Sequence, residues 1–97
     1  MENIAVIKTW TEYERGWGQR PDGVSIHLTK EDNESYEKNY YDGMPNDAPE
    51  EYSQTSGGLK VIKVTDELYK EIENSENGIR VWQHKLGDIQ GKIKHII

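Results

Sequence analysis

Residues 12–28 read Glu12-Tyr13-Glu14-Arg15-Gly16-Trp17-Gly18-Gln19-Arg20-Pro21-Asp22-Gly23-Val24-Ser25-Ile26-His27-Leu28. The second half alternates. Val24, Ile26 and Leu28 are apolar, while Ser25, His27 and Thr29 are polar, which is the period of a half-buried strand. The first half is punctuated by Gly16, Gly18 and Gly23, and Pro21-Asp22-Gly23 is turn chemistry, so residues 16–23 are expected to form a loop. Upstream, Ile4-Ala5-Val6-Ile7 opens a strand running on to Tyr13. The stretch is thus expected to be a strand, a glycine-rich loop and a second strand. Guanidinium and indole groups on such a loop suit a planar or anionic partner better than a core.

The remaining elements follow outward. Thr29 precedes Lys30-Glu31-Asp32, an N-cap with acids in the first turn, and Tyr36, Tyr40 and Met44 recur at helical spacing. Gly43 and Pro45 end that helix. Residues 46–58 are polar, carry Pro49 and a Ser-Gly-Gly turn, and are expected to be a flexible loop. Residues 59–64 predict a central strand with β-branched residues on both faces. Thr65-Asp66 caps a second helix carrying Leu68, Tyr69 and Ile72, which Asn77-Gly78 closes by positive φ. Residues 79–82 predict another strand. In the tail, residues 87–97, Ile93, His95 and Ile97 alternate as in a strand, while Ile89, Ile93 and Ile96 fit a helix. The expected fold is α+β, a small mixed or antiparallel sheet with two helices in the order β-β-α-β-α-β. All 97 residues form one domain, with no repeat and no linker.

Hydrophobic residues are 33% of the chain, against about 45–50% in ordinary domains. There is no Phe, and six Tyr with three Trp must serve as core aromatics that keep one polar edge. A chain this short buries only about 60–65% of its unfolded surface. A second subunit is therefore expected to complete the core as a homo-oligomer. The absence of Cys excludes disulfides and thiolate metal sites and fits a reducing cytosol. With no apolar leader and no run long enough to cross a membrane, the chain is expected to be soluble and cytoplasmic.

The net charge of −6 is concentrated in residues 30–54, where eight acids face two lysines, and the rest of the chain is balanced. That argues against duplex nucleic acid as a partner. The acidic run reads either as a solvated helix face or as a binding surface.

No catalytic constellation is present. His27, His84 and His95 have no metal spacing and no thiol partner, Gly16-Trp17-Gly18 lacks the lysine of a phosphate loop, and the serines sit in no nucleophile elbow. The chain is read as a non-enzyme without a cofactor or metal. Binding chemistry is better supplied. Indoles stack on bases at about 1–3 kcal/mol each, and arginines grip phosphates bidentately. The candidate ligand residues are Arg15, Trp17, Arg20, His27, Tyr52, Arg80 and Trp82. In this reading Trp17 and Trp82 stack on a base and Arg15, Arg20 and Arg80 hold phosphates. His27 and Tyr52 add hydrogen bonds. The plainer alternatives are core packing for Trp10 and Trp82 and a neighbour-bonded strand residue for His27.

The run W-T-E-Y-E-R-G-W-G-Q-R-P-D-G-V-S-I-H-L over residues 10–28 resembles small proteins of bacteriophages and phage-like elements. The likeness continues through Met44-Pro45, Glu51-Tyr52-Ser53 and Asn77-Gly78-Ile79. The resemblance implies a setting, antagonism of bacterial defence in the host cytosol. One style is a sponge that sequesters a nucleotide-derived immune signal, such as a cyclic dinucleotide or an ADP-ribose derivative. The other is an acidic plug that occupies a defence complex by imitating nucleic acid, in the manner of an anti-CRISPR protein. The aromatic-and-arginine loop favours the sponge, and the acidic run favours the plug.

Overall fold

Strand β1 (Ile4–Glu14) runs antiparallel to β2 (Gly18–His27), and β3 (Glu51–Val64) pairs along the other side of β1. The computed structural model describes residues 3–14, 16, 18–44 and 51–96. Short strands β4 (Ile79–Val81) and β5 (Ile93–Ile96) add to the flanks, giving five antiparallel strands in the order β4-β2-β1-β3-β5. The α+β class and the order of its two main helices among the strands are as the sequence predicts. Helix α1 (Lys30–Asp42) follows β2, and helix α2 (Asp66–Glu73) follows β3. The tail takes both of its anticipated forms in turn. A short helix α3 (Leu86–Ile89), flanked by single 3-10 turns, buries Ile89 before β5 begins.

The alternation at residues 24–28 splits the structure into two unlike layers. Val24, Ile26 and Leu28 point one way and join Ala5, Ile7, Ile62, Val64, Val81 and Ile89. Helix α2 seals this apolar face with Leu68 and Ile72, one turn apart and both buried. Burying such side chains contributes about 1.5–3 kcal/mol apiece. Ser25 and His27 point the other way, toward α1, which meets them with polar and aromatic groups. Its one fully buried residue is Asn33, and Tyr36 and Tyr40 set their edges against the Trp10 ring.

Both helix starts are capped as their sequences predict. Thr29 Oγ1 accepts from the Asp32 N–H at 3.0 Å, and Thr65 Oγ1 accepts from the Leu68 N–H at 3.3 Å. Beyond α2, Asn77 and Gly78 take φ of 65° and 130°.

Two predicted loops are strand instead. Residues 18–23, expected within a loop over 16–23, belong to β2, with residues 18–21 paired to Thr11 to Glu14. Pro21-Asp22-Gly23 makes a bulge rather than a turn, because Thr9 pairs with Val24 while Thr11 pairs with Pro21. Gly23 has φ of +93°, and a Cβ there would overlap the Val81 carbonyl oxygen. Residues 51–58, expected within a flexible loop over 46–58, form the first half of β3, with residues 51–56 opposite Thr9 to Glu14. Helix α1 completes that half. The Tyr40 hydroxyl accepts from the Ser53 N–H at 3.1 Å and donates to the Ser53 carbonyl at 2.8 Å, and the Tyr41 hydroxyl accepts from the Thr55 N–H at 3.0 Å. The phenols hold backbone groups that β5, pairing only with residues 62–64, does not reach. Residues 46–50 of that expected loop lie outside the described residues.

Candidate functional site

Arg80 on β4 projects onto the polar face beside its ladder partner Ser25. Its guanidinium carbon lies 4.4 Å from the Trp10 ring centroid and 4.3 Å from that of Trp82, so the charge is sandwiched between two indoles. The Arg80 side chain is 10% exposed. Nη2 donates to the Asp22 carbonyl at 2.9 Å, to Asp22 Oδ2 at 3.0 Å and to Ser53 Oγ at 3.4 Å. The Ser53 hydroxyl donates to the same carboxylate. The bulge at residues 21–23 brings Asp22 to Arg80, so the turn-like sequence has a structural purpose other than turning.

Trp10 is fully buried and Trp82 is 47% exposed. Arg80 covers one face of Trp82, and Trp82 also lines an open hollow of about 310 Å³. The hollow is lined by Glu12, Asp22, Tyr40, Tyr52, Ser53 and Trp82. Among the described residues its wall therefore holds two carboxylates and no Lys or Arg. Arg20 stands beside it on β2, bonded to Glu12 at 3.0 and 3.2 Å and to Glu14 at 2.8 Å. The Arg20 hydrogen bond pulls the Glu12 carboxyl below its ordinary range, with a smaller charge contribution from the same guanidinium.

The structure thus draws Trp82, Arg80 and Tyr52 to one place, with Arg20 beside it, and buries His27. Arg80 faces an internal carboxylate and Arg20 is held by two acids, so neither is arranged around a phosphate. Tyr52 belongs to a strand, not to a closing loop, and its ring stacks on its ladder partner Tyr13 with centroids 5.5 Å apart. Arg15 and Trp17 lie outside the described residues. His27, expected to touch a ligand, has a fully buried side chain whose ring nitrogens meet internal partners.

His27 instead completes an internal relay. The Trp10 indole N–H donates to Ser25 Oγ at 2.8 Å, and Ser25 meets His27 Nε2 at 2.8 Å. Asn33 Nδ2 approaches the same Nε2 at 3.1 Å, and His27 Nδ1 lies 2.5 Å from the Asn77 carbonyl oxygen. A carbonyl only accepts, so Nδ1 carries the hydrogen and Nε2 is the bare acceptor. The relay is complete with a neutral ring. Burial pushes the imidazole pKa below its ordinary value, against smaller opposing effects of the Asn77 contact, Glu37 and Asp32. Burial likewise raises the Tyr36 phenol, against an opposing pull from Arg80.

Sequence reading missed Glu12, Asp22, Tyr40 and Ser53. Asp22 was legible only as a turn residue, Glu12 only as one acid among eighteen. Among the described residues no group of three His, Cys, Asp or Glu is placed to hold a metal ion, and no helix is long and apolar enough to cross a membrane. No protein-family model, curated protein or solved structure matches this chain.

Proposed function

We propose that this protein is a non-catalytic binder that antagonises bacterial defence in the host cytosol by docking on a basic surface of a defence complex, as the phage-like resemblance of its sequence implies. The observation that supports this reading is the wall of the Trp82 hollow. Glu12 and Asp22 line it, and with Glu14 they outnumber the guanidiniums of Arg20 and Arg80 that pair with them, three carboxylates to two. Such a surface attracts cations and repels phosphates. Helix α1 extends the acidic surface with Glu31, Glu34 and Asp42 exposed. Docking of this kind needs no turnover and no cofactor.

A second reading is favoured by Trp82 itself. Its half-exposed ring can stack on a base, so sequestration of a nucleotide-derived signal is the competing function. For either reading we propose a homo-oligomer, since Ile4 and Val61 are left exposed on the sheet.

Calorimetry against cyclic dinucleotides and ADP-ribose derivatives, run beside capture of host defence proteins at several salt concentrations, separates the two readings. Docking predicts no heat with the nucleotides, capture that weakens with salt, and loss of capture on charge reversal at Glu31, Glu34, Glu37, Glu50 and Glu51. Nucleotide heat that survives the same charge reversal overturns docking in favour of sequestration. Native mass spectrometry reports the subunit number and any small molecule retained.

A further inference from the structure

We infer that the Trp82 hollow is a receptor for a guanidinium, and that the docking partner inserts an arginine side chain there. The inference rests on the docking reading and names the chemistry of the contact. The chain already shows what its indoles hold, because Arg80 lies against the inner face of Trp82 at 4.3 Å. Trp82 is 47% exposed and lines the hollow, so its ring can offer a second guanidinium the same quadrupole. Two cations at one ring would repel, but Asp22 at 3.0 Å offsets the charge of Arg80, and Glu12 and Glu14 together outnumber the single Arg20 that pairs with them, leaving net negative charge beside the hollow. Tyr40, Ser53 and Tyr52 complete the wall.

Size and shape point the same way. At about 310 Å³ the hollow stands at the bottom of the range for small-molecule sites, about 300–1,000 Å³. It admits a planar head on a methylene stem more readily than a dinucleotide. Lysine fits the charge and not the geometry, because an ammonium has neither a flat face for the indole nor a fork for a carboxylate.

The test uses the full chain and two synthetic peptides, acetyl-Gly-Arg-Gly-Arg-Gly-amide and its lysine counterpart. Binding is followed by the indole N–H signals in NMR. The arginine peptide is expected to shift the Trp82 indole and leave the buried Trp10 indole in place, and to bind about two- to fivefold more tightly than the lysine peptide. Glu12→Gln and Trp82→Ala should both weaken it. Glu12→Gln keeps the test meaningful where Trp82→Ala disturbs the Arg80 stack. Equal affinity for the two peptides, or binding that leaves the Trp82 signal unmoved, overturns the arginine receptor. The docking reading survives that failure if capture of a defence protein stays salt-sensitive and is abolished by charge reversal on α1. Displacement of the arginine peptide by a cyclic dinucleotide overturns both.

Discussion

His27 gives its Nδ1 hydrogen to the Asn77 carbonyl oxygen at 2.5 Å, joining β2 to the turn that follows α2. This contact fixes the tautomer and leaves Nε2 to accept from Ser25 and Asn33. Protonating Nε2 would set a hydrogen against both donors. The folded pKa lies below the ordinary value near 6.5, so the unfolded chain takes up a proton that the folded chain refuses. Stability is therefore fully present above about pH 6.5 and is lost as pH falls toward the depressed folded pKa. Urea midpoints should drop between pH 7.5 and 5.5. A His27→Gln variant should be less stable at pH 7.5, by about 1–3 kcal/mol, and should show a flatter midpoint over that interval. An equally steep fall in the variant would assign the pH dependence to other groups.

Gly78 makes the contact possible. Its φ is +130°, and a Cβ there would overlap His27 Nδ1 and crowd the Ile26 carbonyl oxygen. Gly57 has φ of +71° with open space around the same position. Gly57→Ala should cost only the left-handed backbone penalty, about 1–2 kcal/mol. Gly78→Ala adds a steric conflict with backbone and a buried ring, and should lower the thermal midpoint well beyond Gly57→Ala. Equal losses would show that the turn relaxes away from His27.

The alternation at residues 24–28 made the strand and its apolar side legible, but not that its polar side, Ser25 and His27, is buried as well, and the Thr29 and Thr65 caps gave both helix starts. Residues 51–58 were not legible as strand. They are polar and glycine-rich, and the phenols of Tyr40 and Tyr41 that hold their outer edge come from a different element. Of the expected site, Trp82 and Arg80 do meet, because residues 79–82 form a short strand end with both side chains against one neighbourhood. What the residue list could not show is pairing. An arginine reads as a phosphate grip until the structure places Asp22 at 3.0 Å from it, and that contact depends on a one-residue bulge.

Arg80 should be intolerant of substitution. It fills the gap between two indoles and neutralises Asp22 where little water reaches. Arg80→Lys keeps the charge but gives up the flat stack between the two indoles, and its shorter reach must replace the single nitrogen, Nη2, that serves both the Asp22 carbonyl and its carboxylate. The loss should be about 1–3 kcal/mol in chemical denaturation. A red shift in tryptophan emission should accompany it as Trp82 loses its cover. Arg80→Met leaves Asp22 as a half-buried charge without its partner and should cost more, about 3–5 kcal/mol. A smaller loss for Met than for Lys would mean that the sandwich is chiefly apolar packing.

Arg20→Ala separates the two functional readings with one substitution. Arg20 is 62% exposed, and its ion pairs contribute little to stability, so the variant should stay within about 1 kcal/mol of the parent. Its effect on binding should be larger and of opposite sign for the two ligand classes. In the parent, Arg20 occupies both oxygens of Glu12, a wall residue of the Trp82 hollow. Removing it leaves that carboxylate available, with a pKa that returns upward toward its ordinary range yet stays well below 7, because the hydrogen bond that depressed it is gone. A cationic ligand then meets an uncompensated charge and should bind more tightly, most clearly at low salt. A phosphate-bearing ligand loses a cation near the site and should bind more weakly. Titrating the variant with the arginine peptide and with a cyclic dinucleotide at two salt concentrations gives the sign directly. Weaker peptide binding in the variant would mean that the Glu12–Arg20 pair, intact, is itself the recognition surface.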